Sequence, residues 1–166
     1  MSGLKIGDIA PDFNVESTDG ELSLKSFRGK NIVLYFYPKD MTPGCTVQAK
    51  DFSSLNQEFQ KLDTQIIGVS KDSLSSHLKF IDQENIPYPL LVDTEAHICK
   101  LYDILKEKKM FGKTYMGINR TTFLIGKNTK ILKIWCNVKP NGHAQKVLDT
   151  VKTLDTTGLL DLAAMD

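Results

Sequence analysis

One stretch of this 166-residue chain carries the residue types that do chemistry. Residues 35–50 read YFYPKDMTPGCTVQAK. A continuous apolar run from Ile32 to Tyr37 stops at Pro38, and a helical pattern begins near Pro43. Proline suits a first helical turn because its missing N–H had no intrahelical acceptor anyway. Thr42 is then the N-cap. Cys45 falls in the first turn, where unpaired backbone N–H groups and the positive end of the helix dipole gather. The chemistry this suggests is nucleophilic attack by a thiolate. An ordinary cysteine, with a pKa near 8.5, is only about 3% ionised at pH 7. A helix end and a nearby cation both favour the charged form. Arg120, just ahead of a strand at residues 121–125, is the candidate cation. To act, it must lie within ~10 Å of the sulfur, the screening distance in ordinary saline.

Ionisation alone has a ceiling. Going from about 3% to full thiolate gains roughly 30-fold, whereas enzymes supply at least about a million-fold. The rest must come from aligned donors that stabilise a transition state. The Thr42 hydroxyl, the Cys45 backbone N–H and the Arg120 guanidinium are suitable. Together they can hold the two adjacent oxygens of a peroxide, one attacked by sulfur and one leaving.

Pro38, Thr42 and Cys45 stand as Pro-x-x-x-Thr-x-x-Cys, which resembles the active-site signature of the peroxiredoxins. The longer string YPKDxTPGCT is similar to the bacterioferritin comigratory protein (peroxiredoxin Q) subfamily. The similarity continues through IPYPLL at 86–91, KKMFGKTYMGI at 108–118, RTTFLI at 120–125 and WCNVK at 135–139, and spans about residues 4–154. The resemblance implies a thioredoxin-like fold and thiol-dependent reduction of hydrogen peroxide and organic hydroperoxides. Cys45 matches the peroxidatic cysteine, and Pro38, Thr42 and Arg120 match the residues that shield and activate it. No metal, haem or flavin cofactor is implied. The partners implied are a hydroperoxide substrate and a thiol reductant such as thioredoxin or glutaredoxin/glutathione, acting on a monomer.

The chain departs from the family in one respect. Many members carry a resolving cysteine five residues after the peroxidatic one, where this chain has Lys50, and others carry it in the next helix, where residues 74–85 contain none. Either an external thiol resolves the Cys45 sulfenic acid, which is the preferred expectation, or Cys99 or Cys136 does so. A disulfide needs Cα atoms within about 7 Å, and spacing alone does not bring either cysteine there. Resolution by an external thiol passes through a mixed disulfide and risks overoxidation to the sulfinic acid. Two other readings stay open. A dithiol–disulfide oxidoreductase would need a Cys-x-x-Cys that is absent. A chaperone or holdase could keep the fold without turnover.

Plainer roles stand beside these. Thr42 can serve only as a cap, Arg120 can be a surface ion pair, and Gln48 can either orient the site or lie on the helix surface. Cys99 and Cys136 can be inert. The basic stretch of Lys106, Lys108, Lys109 and Lys113 is by default a solvated loop, with a reductant-docking surface as the alternative. Phe36, Tyr37 and Phe111 can fill core or line an apolar entrance. His77, His97 and His143 are too dispersed to suggest a metal site.

These residues need a scaffold. Leu, Ile, Val and Phe make up about 29% of the chain, well above the level at which disorder becomes the default. The 21 basic and 20 acidic residues give a charge of +1, which excludes a strongly basic nucleic-acid binder. No apolar run approaches the roughly 20 residues that span a bilayer, and no membrane partner is expected. The N-terminus lacks the apolar block of a signal peptide. Three widely spaced cysteines argue against a disulfide framework, so a reducing cytoplasm is expected.

One domain over residues 1–166 is expected, with residues 156–166 loosely held. Residues 13–24 read as a hairpin around Asp19-Gly20, 31–37 and 65–70 as buried strands, and 90–92 as a short strand. Helices are expected from about Pro43 with Ala49, Phe52, Leu55, Phe59 and Leu62 inward, after Asp72 or Ser73 with Leu74, Leu78 and Ile81 inward, over 95–102, and over 143–154. Residues 106–119 read as a long loop, and 121–125 with 130–135 as a hairpin. Alternating βα units with a late hairpin describe a thioredoxin-like three-layer α/β sandwich with a mixed central sheet.

Overall fold

The structure is a computed structural model that describes residues 3–158 and 160. β1 (Asn14–Ser17) and β2 (Gly20–Ser23) form a hairpin, followed by a 3-10 turn (Leu24–Phe27). Then come β3 (Asn31–Phe36), α1 (Pro43–Lys61), β4 (Thr64–Ser70), α2 (Leu74–Glu84), β5 (Leu90–Val92) and α3 (His97–Leu101). The chain continues through β6 (Leu105–Met110), β7 (Lys113–Ile118), β8 (Thr121–Ile125), β9 (Ile131–Trp135) and α4 (His143–Thr156).

Seven strands make one sheet in the order β2-β1-β5-β4-β3-β8-β9. β3, β4 and β5 run parallel, as their helical crossovers require. β8 and β9 add antiparallel strands at one edge, and the first hairpin joins the other edge through the pairing of Ser17 with Leu91. β3 lies in the middle and is buried at every residue. Its alternation feeds two cores. Val33, Tyr35 and Tyr37 pack with Ala49, Phe52 and Phe59 of α1, Phe80 of α2 and Val147, Leu148 and Val151 of α4. Ile32, Leu34 and Phe36 pack on the other face with Ile98 and Cys99 of α3, Leu24 and Tyr102. Burying each large side chain stabilises the fold by about 1.5–3 kcal/mol. This is the expected three-layer thioredoxin-like sandwich.

Three expectations need correction. Residues 106–119 are not a loop but the β6–β7 hairpin, which forms a separate two-stranded sheet. Phe111 (φ 52°) and Gly112 (φ 77°) make its turn, and positive φ at both central residues is the type I′ geometry that matches strand twist. Lysine-rich strands with little burial hide this hairpin from hydrophobic patterning. In the first hairpin the register pairs Ser17 with Gly20, so the turn residues are Thr18 and Asp19, and Gly20 opens β2 at φ 87°. α2 buries His77 and Phe80 rather than Leu78, which is exposed. The 3-10 turn is an addition that the hydrophobic pattern does not announce. Of the expected loose tail, Thr156 ends α4 and Leu160 is buried, while residues 159 and 161–166 lie outside the described residues.

Candidate active site

The site assembles where β3 ends. Thr42 takes the extended N-cap backbone conformation and Pro43 opens α1. The first turn leaves the Gly44 and Cys45 N–H groups without an intrahelical acceptor, while Thr46 N–H reaches the Thr42 carbonyl at 2.8 Å. Cys45 is 2% exposed. Arg120, in the short link between β7 and β8, crosses to it. Arg120 Nη2 lies 3.4 Å from Cys45 Sγ, far inside the ~10 Å limit. A guanidinium only donates, so the sulfur accepts, and an anionic sulfur accepts best.

Arg120 is itself held. Its Nη1 donates to Gln48 Oε1 at 2.6 Å, and Gln48 is fully buried one turn after Cys45. Gln48 is therefore an orienting residue of this arrangement, not a surface glutamine. Gly44 lies against Arg120, where even a Cβ would sit at ordinary van der Waals distance, 3.4 Å from Nη2. Thr42 differs from the expectation. Its hydroxyl does not cap the helix; it donates to the Lys39 carbonyl at 2.8 Å. With its hydrogen used, Oγ1 presents lone pairs and stands as an acceptor rather than a donor. Pro38 is half-buried and shares a cleft with Arg120.

The loop at residues 38–42 is fixed by a buried polar network that sequence reasoning missed. Tyr37 Oη donates to Asp40 Oδ1 at 2.6 Å, and Ser76 Oγ donates to Asp40 Oδ2 at 2.8 Å. His77 Nδ1 lies 2.7 Å from the same Oδ2, and His77 Nε2 lies 2.8 Å from the Leu91 carbonyl. That carbonyl only accepts, so Nε2 carries hydrogen. The Asp40 N–H donates to Asp72 Oδ2 at 2.9 Å. Met41, next in the loop, is held at φ 62°, a conformation that a non-glycine residue keeps only when its surroundings impose it. Asp40, Asp72 and His77 bring ligand-type atoms within 4.8 Å of one another, but His77 spends both nitrogens within the protein. The one signal in the sequence was an aspartate following an apolar strand; its partner lies 37 residues away.

The other cysteines separate cleanly. Cys99 packs in the core on the opposite face of the sheet from Cys45. Its N–H donates to Asp93 Oδ2 at 2.9 Å. Burial, and then Asp93, push its thiol well above the ordinary range. Cys136 is exposed and follows β9, in a segment whose Val138 N–H reaches the Arg120 carbonyl at 2.9 Å. His143, at the start of α4, is pushed down to about 4 by burial, with Lys146 and Arg120 adding to the effect.

Residues 6–134 match the AhpC/TSA family. The chain is a peroxiredoxin of that family. It is 48% identical over 152 residues to peroxiredoxin Bcp of Bacillus subtilis, covering 91% of this chain and 97% of that one. The structure of a cysteine-to-serine mutant of Xylella fastidiosa PrxQ superposes with a TM-score of 0.87 at 35% identity, covering 92% and 98% of the two chains. A structure of the Xanthomonas campestris bacterioferritin comigratory protein, described for its alkyl peroxide reduction activity, gives a TM-score of 0.83 at 37% identity, covering 92% and 98%. The peroxiredoxin is accordingly a thiol-dependent hydroperoxide reductase, which takes a peroxide and a thiol reductant. These relatives lend no support to the holdase reading. Among the described residues, no helix of this peroxiredoxin is long and apolar enough to cross a membrane.

Proposed function

We propose that Cys45 reduces hydrogen peroxide and organic hydroperoxides, and that an external thiol resolves the sulfenic acid it forms. The observation that carries this reading is the 3.4 Å contact of Arg120 with Cys45 Sγ, braced by Gln48. The Cys45 thiolate attacks one peroxide oxygen, the O–O bond breaks, and the leaving oxygen departs as an alcohol or water after taking a proton. Thr42 Oγ1 accepts the O–H of the entering hydroperoxide. Arg120 and the Cys45 N–H donate to the oxygens as charge develops, which is where preorganised donors act most strongly. Pro38 limits access of water. Electrons come from thioredoxin, glutaredoxin/glutathione or a comparable thiol, and the protein works as a monomeric single domain in a reducing cytoplasm.

External resolution is supported by the absence of a cysteine at Lys50 or in α2, and by the position of Cys99 behind the sheet. A second reading has one observation in its favour. Cys136 is exposed and opens the segment that bonds the Arg120 backbone, so it is the internal cysteine best placed to resolve. Mass spectrometry after one equivalent of peroxide tests both. A sulfenic acid at Cys45, converted by added glutathione to a mixed disulfide, supports external resolution. A Cys45–Cys136 disulfide overturns it. Cys45→Ser is expected to abolish peroxide consumption, and substantial residual turnover rejects Cys45 as the nucleophile.

A further inference from the structure

Around Arg120, whose Nη2 reaches Cys45 Sγ at 3.4 Å, lies a cleft of about 310 Å³, lined by Pro38, Lys106, Lys108, Asn119, Arg120 and Asn137 together with Ile118 and Val138. Three cations face it, and among the described residues no carboxylate lines it. The cause is the period-two alternation of β6. Lys106 and Lys108 share one face of the strand, while Glu107 lies on the other. Gly117 of β7 makes the approach possible: a Cβ there would fall 2.7 Å from Lys108 Cδ, so the lysine stem lies flat where a side chain would otherwise stand. The ammonium of Lys108 then feels Lys106 and Arg120 as like charges. After burial, these are the next largest causes that push its proton affinity down, and Cys45 opposes them. Lys106 has only a 3.5 Å contact with the neutral Asn137 Oδ1. Among the described residues, none of the three cations is paired with an acid.

We propose that this cleft is a carboxylate subsite, formed by Lys106 and Lys108 with Arg120, for a small reactant whose reacting group meets Cys45. It rests on the peroxidase reading, because Arg120 joins the cleft to the sulfur. Two reactants meet that sulfur in turn, and either can bring the carboxylate. One is a hydroperoxide bearing an acid group. The other is an acidic thiol that resolves the sulfenic acid. For the thiol, the incoming thiolate forms an S–S bond with the Cys45 sulfur, the S–O bond breaks, and hydroxide leaves and is protonated to water. A second thiolate then displaces Cys45 as thiolate and leaves as the small disulfide. Two thiols are oxidised, and the sulfenic sulfur is reduced by two electrons. Without a cysteine of its own next to Cys45, the chain gains from a site that gathers a small anionic thiol at that point.

The experiment compares charged and neutral reactants in each half-reaction by stopped flow. Oxidation is followed with a carboxylate-bearing hydroperoxide and with tert-butyl hydroperoxide. Reduction of the sulfenic form is followed with glutathione and with 2-mercaptoethanol. In the wild type, raising the salt is expected to slow the acidic reactant relative to the neutral one in at least one half-reaction. In Lys106→Gln/Lys108→Gln, the ratio of acidic to neutral rate constants in that half-reaction is expected to fall about ten-fold or more. The half-reaction that responds identifies the source of the carboxylate. Ratios unchanged by both salt and substitution, or acidic and neutral rates that fall together, overturn the subsite. The salt series needs no variant, so a misfolded hairpin does not blunt the test. Loss of peroxide consumption by the wild type itself would instead reject the peroxidase reading.

Discussion

Cys45 and Cys99 occupy equivalent places in two helices. Each is the third residue, of α1 and of α3, and each is buried. Their surroundings differ. At α3, Asp93 accepts the N–H groups of Ile98 and Cys99 at 3.0 and 2.9 Å, which satisfies the helix end and sets a carboxylate beside the sulfur. At α1, Thr42 turns its hydroxyl away, the first-turn N–H groups stay available, and a guanidinium faces the sulfur. A helix start therefore does not by itself define the surroundings of a thiol. The decisive features are the donors left unused and the sign of the nearest charge.

Five measurements break or sharpen this contrast. The largest effect is expected in alkylation of the reduced protein by a small thiol reagent. Cys45 should react at least about a thousand-fold faster than Cys99, whose ionisation burial and Asp93 suppress. Peptide mapping that finds comparable rates would remove the distinction. Arg120→Ala is expected to slow peroxide attack about 10²–10³-fold, the usual cost of one preorganised donor. If the loss only matches the drop in thiolate fraction, Arg120 is not a donor to the transition state. His77→Ala removes one partner of the buried Asp40 contact that holds the loop before Cys45, and should cost about 3–5 kcal/mol in denaturant unfolding. A cost below about 1 kcal/mol, the level of an exposed pair, would show that the network does not fix the loop.

The fourth measurement concerns His143. Its folded-state value of about 4 lies below the ordinary 6.5, so the unfolded chain binds more protons between those values. Stability should be undiminished by this group above about pH 6.5 and should fall by ~3 kcal/mol as the pH drops to 4. His143→Gln should flatten that part of the profile. The smallest effect belongs to the α3 side of the comparison. Asp93→Ala should cost about 1–2 kcal/mol through the lost cap. Because burial is the leading cause that pushes the Cys99 thiol up, that variant should leave Cys99 slow to alkylate. Rapid labelling would show that Asp93, not burial, silences it.

The parts legible in the sequence are those that local rules decide. The apolar run of β3, the proline that opens α1 and the spacing of Phe52 and Phe59 place Cys45 in a first turn without reference to anything distant. Arg120 was legible because a strand follows it at once. The β6–β7 hairpin was not, because its stability rests on turn geometry at Phe111-Gly112 and not on a buried face. The direction of the Thr42 hydroxyl depends on a carbonyl three residues back, which residue types do not reveal. The Asp40–His77 contact, and the use of Gln48 as a brace, are set by tertiary packing that no periodicity reports.

α1 also acts as a ruler. It runs unbroken from Pro43 to Lys61, so five residues of rise separate Cys45 from Lys50 by about 7.5 Å along the axis. That exceeds the Cα spacing a disulfide tolerates. In place of a sulfur, Lys50 offers an ammonium 3.6 Å from Glu84 of α2. A thiol grafted at that position would couple to Cys45 only during moments when the first turn melts. Its rate of crosslinking would thus count those openings, converting a rigid rod into a clock for its own fraying.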